Sequence, residues 1–260
     1  MTRLIKIYLV SLKNSFAARM AYRGDFFLCC VLILVSEMLV PLLTMLIYST
    51  GASFPGWNLA EVMVLQGVFM LARGTANLLF FGIVYNTLSH VREGTYDLFM
   101  IKPVSVLFIS IASGFEPDSI GTIAGGLLVT AVSAGQLQPP DGADILRFLL
   151  IFAFSLLILF SFAVLMSATV FKWVGNSRIY EIFDSITSFG NYPLTIFGRT
   201  FRIIISYIIP VSVIAFYPAS ALLGKDISGF VPAIPVCVLF LILSLGVWKL
   251  MLSKYTSAGG

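Results

Sequence analysis

Six long apolar stretches, separated by shorter polar segments, dominate the pattern of hydrophobic positions along the chain. They cover residues 26–50, 59–88, 119–137, 146–171, 202–223 and 231–252. A stretch of about 18 or more apolar residues is long enough to cross a bilayer as an α-helix. The pattern therefore predicts an all-α, polytopic membrane protein whose single domain, 26–252, has six transmembrane helices. An amphipathic segment, 1–25, precedes this domain, and a short tail, 253–260, follows it.

The composition agrees with this prediction. Hydrophobic residues make up 59% of the 260 residues and charged residues only 11%, whereas a soluble domain has about 25% charged residues. A soluble or disordered protein is thereby excluded. The three cysteines, Cys29, Cys30 and Cys237, have neither disulfide nor metal-site spacing. No metal site is therefore predicted.

Basic residues are distributed unevenly among the polar segments. Thirteen of the 16 Lys and Arg residues fall on the side that holds both termini and the second and fourth loops. They are Arg3, Lys6, Lys13, Arg19, Arg23, Arg92, Lys102, Lys172, Arg178, Arg199, Arg202, Lys249 and Lys254. Loops rich in Lys and Arg face the cytoplasm. Both termini and these two loops are therefore predicted to be cytoplasmic, and the other loops to lie outside.

The segment before the first apolar stretch is amphipathic. Apolar side chains recur at helical spacing, at Ile5, Tyr8, Leu9, Leu12, Phe16 and Met20. The basic residues Arg3, Lys6 and Lys13 lie off this stripe, which is typical of a helix on the membrane surface, in contact with lipid. A positively charged anchor with no further role is the alternative. The first apolar stretch is longer than the roughly 7 to 15 residues of a signal-peptide core, so it is expected to remain as an anchor.

Polar side chains inside the apolar stretches form a candidate internal site. Gln66, Arg73 and Asn77 share one helical face, which is expected to point into protein rather than lipid. Glu37 lies at a depth that matches Arg73, where a charge costs roughly 2.5 to 3.5 kcal/mol. We therefore predict that Glu37 and Arg73 are electrostatically linked, directly or through a partner subunit. Two roles stay open for these residues: they hold helices together, or they line a substrate pathway.

The sequence lacks the residues that an enzyme would need. The only histidine, His90, lies in a polar loop, and the carboxylates are scattered, which disfavours metal or acid–base catalysis. No GxxxxGK[ST] sequence is present, so ATP binding by this chain is not expected. We predict no enzymatic activity, no cofactor in this chain and no nucleic-acid partner.

The second loop, 88–105, is charged in its first part and amphipathic in its second. A soluble partner that moves a membrane protein needs exposed charges for docking, and an apolar flank seated against the span ends. The loop has both features. An ordinary solvated loop with an interfacial helix would show the same pattern.

Two segments give the chain a family resemblance. The first contains Arg92-Glu93-Gly94-Thr95, Asp97 and Lys102-Pro103-Val104-Ser105, followed by Gly114-Phe115 and Asp118-Ser119. The second runs from Ile209-Pro210-Val211 through Phe216-Tyr217-Pro218-Ala219 to Leu222-Leu223-Gly224. In both segments, and in its six-span pattern, the chain resembles the permease subunits of bacterial type-2 ATP-binding-cassette (ABC) exporters.

The resemblance implies a set of partners. Such a permease lies in the bacterial cytoplasmic (inner) membrane and is driven by a cytoplasmic dimer of ABC ATPases, which binds ATP and Mg. A second permease subunit completes the pathway, with a different chain favoured over a second copy. A coupling helix between the second and third spans contacts the ATPase. The residues of this chain that match it are Arg92, Glu93, Gly94, Thr95, Asp97, Lys102 and Pro103.

The resemblance also implies an outer re-entrant hairpin before the sixth span, at about 210–235. Four prolines are concentrated there: Pro210, Pro218, Pro232 and Pro235. Broken backbone at membrane depth is tolerated only where protein or a cavity covers it. A pair of proline-kinked ordinary spans is the alternative.

Two other function classes also stay open. One is a secondary transporter or channel, which would usually have more spans or an internal repeat, and the other is a non-transporting membrane scaffold.

Overall fold

The computed structural model describes residues 2–173 and 178–256, and within these ranges the chain forms helices and no strand. The α-helices are α1 Thr2–Met20, α2 Arg23–Glu37, α3 Leu39–Ser49, α4 Leu59–Ala76, α5 Ile83–Arg92, α6 Asp97–Met100, α7 Val106–Ala112, α8 Ile120–Ala134, α9 Gly142–Val170, α10 Arg178–Thr187, α11 Arg199–Ile203, α12 Phe216–Leu222 and α13 Ala233–Leu252. Short π or 3-10 turns are Asn77–Phe81, Pro117–Ser119, Ser188–Asn191, Leu194–Ile196, Ile204–Ile208, Val211–Val213 and Ser228–Phe230. Residues 257–260 of the predicted tail lie outside the described part.

Four helical segments of the described chain are long and apolar enough to cross a membrane. They are Arg23–Ser49, Leu59–Arg92, Gly142–Val170 and Ser228–Leu252, and they coincide with the predicted first, second, fourth and sixth spans. An all-helical membrane protein is thereby confirmed. The other two predicted spans differ from a simple helix: α8 has only 15 residues, and 202–223 is bent, giving a fifth span only if its two halves count as one.

Glycines bring α8 into close contact with α4 and α2. A Cβ added to Gly126 would lie 2.8 Å from the carbonyl oxygen of Gly67, and one added to Gly67 would lie 2.3 Å from Oγ1 of Thr130. At Gly121, the carbonyl oxygen of Cys30 would be 2.3 Å from the added atom. Small residues allow helix backbones to approach in this way. The short helix α8 is therefore packed against both neighbours by backbone contact.

Aromatic contacts define two ends of the helix bundle. At one end, the ring of Trp57 lies 5.7 Å from that of Phe216; we call this the Trp57 end. At the other, the ring of Tyr96 lies 5.1 Å from Phe171 and 5.6 Å from Tyr255; we call this the Tyr96 end. The predicted outer loops lie at the Trp57 end, and the loop that resembles a coupling helix lies at the Tyr96 end.

The helix α10 and the turns after it run antiparallel to the span Leu59–Arg92. The ring of Tyr180 lies 5.0 Å from that of Tyr85, towards the Tyr96 end. The ring of Tyr192 lies 6.0 Å from that of Phe54, at the Trp57 end. This segment therefore passes from one end of the bundle to the other. The prediction of a loop here is wrong, because the segment is short and broken by polar side chains that contact protein.

The predicted fifth span, 202–223, consists of two helical pieces, Arg199–Ile208 and Val211–Leu222, with an angle of 75° between them. Pro210 lies at the break, where it cannot continue the helix because it has no N–H to donate. The contact between Phe216 and Trp57 holds the second piece at the Trp57 end.

The bend places two arginines differently from the prediction. Arg199 and Arg202 line a cavity with Asp226 and Ser228 at the Trp57 end, whereas the sequence pattern grouped them with Lys172 in a cytoplasmic loop. The structure places Arg199 and Arg202 near Phe216, away from the Tyr96 end, because α10 and the turns after it run along the bundle before them. The side of the membrane that they face stays a prediction.

The other three prolines of the predicted re-entrant segment lie at helix starts. Pro218 is in the first turn of α12, Pro232 is the N-cap of α13, and Pro235 is in the first turn of α13. Proline is tolerated there because its missing N–H would have no partner within the helix. These three prolines therefore begin helices and do not kink them.

The N-terminal helix α1 is fixed to the bundle by two polar contacts. The Tyr8 hydroxyl donates to the Leu79 carbonyl oxygen at 3.0 Å, and Arg19 pairs with Asp118 at 2.7 Å, just before α8. Burial raises the pKa of nearby Glu116 to about 7; repulsion from Asp118 adds to this shift, and Arg19 partly offsets it. The helix is therefore anchored to the bundle by protein contacts.

Candidate functional site

The loop at the Tyr96 end begins with a tight helix-terminating turn. After α5 ends at Arg92, Gly94 adopts a φ of +67°, and the Thr95 N–H donates to the His90 carbonyl oxygen at 2.9 Å. This is a Schellman motif, in which glycine is favoured because a Cβ disfavours positive φ. An added Cβ at Gly94 would meet no described atom within 4 Å. The backbone conformation, rather than a close neighbour, therefore favours glycine here.

Tyr96 fixes the loop to the bundle. Its side chain is fully buried, its hydroxyl shares a hydrogen bond with Ser110 at 2.9 Å, and its ring stacks on Phe99 with centroids 5.3 Å apart. Phe171, just after α9, and Tyr255, after α13, contact the same ring. Burial raises the pKa of Tyr96 to about 12, so the hydroxyl stays protonated. The loop is thereby connected to two distant parts of the chain.

The other face of the loop is exposed and partly apolar. Leu98, Met100 and Ile101 are 57%, 46% and 77% exposed. The Lys102 ammonium lies 4.9 Å from the ring centroid of Phe99, beside these residues in the sequence. Contiguous exposed apolar side chains next to charged ones are typical of a protein-binding surface.

The charged residues of the loop differ in exposure. Arg92 and Glu93 are exposed at the end of α5, where the Ser89 hydroxyl donates to Glu93 at 2.7 Å. Asp97 is half-buried in the first turn of α6, and Pro103 is exposed. A partner approaching this end would therefore meet charges and apolar side chains together.

A second group of polar side chains lies inside the bundle. The Arg73 guanidinium pairs with the carboxylate of Asp184 on α10. Tyr180, one turn before Asp184 on α10, lines the same small cavity as Arg73. Glu37 on α2 interacts electrostatically with Arg73, but the two form no ion pair among the described contacts. The direct partner of Arg73 is therefore Asp184.

Gln66 and Asn77 face the same segment as Arg73. The side-chain nitrogen of Gln66 donates to the Thr44 hydroxyl at 2.7 Å and to the Asn191 carbonyl oxygen at 3.5 Å. Asn77 lines a small cavity with Arg73 and residues of α10. All three polar residues of this helical face thus point into protein.

Sequence reasoning missed the α10 side of this cluster, because it assigned those residues to a loop. A signal was present. Tyr180, Phe183, Asp184 and Thr187 recur at i, i+3, i+4 and i+7, which is the spacing of one helical face. All four line the cavity beside Arg73.

A sequence model described as ABC-2 family transporter protein matches residues 34–259. The match includes both segments that carry the resemblance, and it covers most of the chain. The chain belongs to the ABC-2 transporter family. No curated protein and no solved structure matches the chain.

Membership in the ABC-2 family establishes the broad role. The chain is a transmembrane permease subunit of an ABC transporter, and the family implies a cytoplasmic ABC ATPase as its partner. ABC-2 permeases are membrane components and are generally non-catalytic. The predicted permease class is thereby confirmed, in preference to a secondary transporter or a scaffold.

Proposed function

We propose that this ABC-2 permease is one of two membrane subunits of a bacterial exporter, and that its loop at 92–103 receives the movement of the ATPase dimer. The observation that carries this proposal is the two-sided construction of the loop. One face exposes charged and apolar side chains to the solvent, and Tyr96 locks the other face into the bundle. ATP and Mg are held by the ATPase subunits.

Aromatic contacts offer a route from the loop into the spans. The Tyr96 ring touches Phe171, whose ring lies 5.1 Å from Trp248 on α13. Protein interiors are packed about as closely as organic crystals, so a side chain that moves displaces its neighbours. Movement of the loop would therefore shift α9 and α13 together.

The proposed topology has six crossings, with both termini in the cytoplasm. The fifth crossing is α10 with the turns after it, supported by its antiparallel contacts with the second span. The bent pair, Arg199–Ile208 and Val211–Leu222, is the re-entrant element at the outer face, supported by its 75° angle. The helix α1 lies at the cytoplasmic surface, and the shortness of α8 is compensated by its glycine contacts.

A second permease subunit would complete the transport pathway. Only 11% of the most apolar part of Arg23–Ser49 is buried in this chain, which leaves surface for both lipid and a partner. Glu37 lies on this span and Arg73 on the next, so the polar cluster is placed near that open side. Intramembrane ionisable groups usually mark a functional site or a paired contact. The resemblance favours a different permease as partner over a second copy.

Two substitutions in the loop, one of a charged residue and one of an apolar residue, test the coupling proposal. The permease carrying Glu93→Lys, or Ile101→Asp, is purified with its ATPase, and association and ATP turnover are measured. Both variants should weaken association by about tenfold or more, since charge and apolar contacts at such surfaces each contribute on the order of 1.4 kcal/mol. The chain itself should remain folded, because the altered atoms lie outside the spans.

Asp25→Lys is the matched control, because Asp25 is an exposed carboxylate in the first turn of α2, outside the loop. It should leave association unchanged. Wild-type association and turnover in both loop variants would show that the loop is an ordinary solvated connection.

A further inference from the structure

A cavity of about 470 Å³ lies at the Trp57 end, between the bent segment and the loop before α13. Its polar wall is formed by Arg199, Arg202, Tyr207, Tyr217, Asp226 and Ser228. It is separate from the coupling loop and from the polar cluster around Arg73. The proposed coupling mechanism assigns it no role.

Two arginines dominate the charge of this cavity. Arg199 and Arg202 lie three residues apart, on one face of α11, and both are exposed. Arg202 donates to the Phe197 carbonyl oxygen at 3.2 Å. Neither arginine forms an ion pair with any residue that the structure describes. Two guanidinium groups are therefore held at one place without carboxylate partners.

Among the described residues that line the cavity, Asp226 is the one carboxylate, and it is already engaged by its own loop. Asp226 accepts a hydrogen bond from the Ser228 N–H at 2.9 Å and another from the Ser228 hydroxyl at 2.8 Å. One carboxylate and two guanidinium groups leave the cavity with a net charge of +1. Outer segments of membrane proteins are normally poor in Lys and Arg, so this concentration calls for an anionic partner.

We propose that this cavity binds the phosphate-type oxyanion of a ligand at the outer face of the membrane. Arginine forks match phosphate oxygens with two parallel hydrogen bonds. The Tyr207 hydroxyl is already engaged, because it donates to the Gly229 carbonyl oxygen at 3.3 Å, so the two guanidinium groups are the donors of the site. The ring of Phe216 lines the same cavity and provides an apolar wall for the rest of the ligand. A phospholipid headgroup and a free phosphate share this chemistry.

Calorimetric titration of the full chain in detergent tests the site. The probes are dihexanoyl phosphatidylglycerol, inorganic phosphate and, as a zwitterionic comparison, dihexanoyl phosphatidylcholine. We expect the wild type to bind phosphatidylglycerol, and Arg199→Gln with Arg202→Gln to bind it about tenfold more weakly or worse, because each charge-assisted hydrogen bond is strong enough for roughly that factor. Arg147→Gln is the control, since Arg147 is an exposed arginine that pairs with Asp144 and does not line the cavity.

The probes distinguish the source of the oxyanion. Arginine-dependent binding of phosphatidylglycerol alone identifies a lipid headgroup, and equal arginine-dependent binding of inorganic phosphate shows that the anion suffices. Four results would each overturn the proposal. They are equal affinity for phosphatidylcholine, an undiminished affinity in the double variant, an equal loss of affinity in Arg147→Gln, and no binding at all. If the double glutamine variant does not fold, the double variant Arg199→Lys and Arg202→Lys keeps both positive charges but removes the planar guanidinium groups. Wild-type affinity in this double lysine variant would show that the guanidinium groups do not bind the oxyanion by paired hydrogen bonds. This site does not depend on the coupling loop, so either proposal can fail alone.

Discussion

Arg73 on α4 pairs with Asp184 on α10, 111 positions later in the sequence. The pair holds α10 against the second span and brings a carboxylate to the level of Glu37, so one guanidinium faces two acids. An unpaired charge at this depth costs roughly 2.5 to 3.5 kcal/mol. The ion pair is therefore the contact that allows a polar helix such as α10 to run through the bundle.

Loss of this pair should destabilise the protein. We expect Asp184→Asn and Arg73→Gln each to lower the free energy of unfolding by about 1 to 3 kcal/mol, because a charged hydrogen-bond partner is removed. The double variant should cost less than the sum of the two, and Glu37→Gln should be milder because it breaks no direct pair. Thermal unfolding in detergent measures these effects, with Glu181→Gln, exposed on the same helix, as the control. Strict additivity would show that the two residues are not coupled.

The sequence predicts those parts of the fold that depend on local composition. Arg23–Ser49 and the other long spans follow from long apolar runs with few charged residues, whose burial in lipid needs no specific partner. The position of α10 in the bundle does not follow from local composition, because Asp184 is acceptable there only once Arg73 is opposite it. The burial of Tyr96 is likewise invisible in the sequence, since the rings of Phe171 and Tyr255 come from distant segments.

At Gly94, backbone conformation rather than available space should decide which replacements are tolerated. Gly94→Ala and Gly94→Val should destabilise the loop by about 1 to 2 kcal/mol, because a Cβ disfavours the positive φ. Gly94→Asn should be milder although asparagine is larger than alanine, since asparagine adopts this conformation more readily. Thermal stability and ATPase association would be compared with Gly142→Ala, where added atoms also meet nothing within 4 Å of the described chain. A loss that grows with side-chain volume would point to a close neighbour instead.

The contact between α4 and α8 should not accept even a methyl group. In Gly126→Ala the new Cβ would lie 2.8 Å from both the Gly67 carbonyl oxygen and the Leu71 backbone nitrogen, so the helices must separate. Such overpacking typically costs about 1 to 3 kcal/mol. The thermal midpoint in detergent should fall, while Gly135→Ala, whose nearest atoms would be 3.5 Å away, should leave it nearly unchanged. Equal midpoints for the two variants would contradict the close packing.

Glu116 should make stability depend on pH. Its pKa is raised, mainly by burial, from about 4.5 to about 7. Between these pH values the folded state binds more protons than the unfolded state, so stability falls as pH rises through this window and then levels off. The Glu116→Gln variant should not lose stability as pH rises, and above pH 7 it should be more stable than the wild type. Thermal midpoints from pH 5 to pH 8 measure this, with the exposed Glu93→Gln as control; a wild-type pH profile in Glu116→Gln would argue against the buried carboxyl.

The proposed crossing at α10 predicts which side of the membrane carries Arg199. In a background without the three native cysteines, Arg199→Cys should react with a membrane-impermeant thiol reagent added to intact cells, as Asn58→Cys does, because both residues lie towards the Trp57 end. Lys172→Cys should stay unmodified, because it precedes the crossing. The apolar pattern alone groups residue 199 with residue 172, so the two topologies predict opposite results at one position. Protection of Arg199→Cys alongside labelling of Asn58→Cys would return residues 172–202 to a cytoplasmic loop and remove the outer anion site with it.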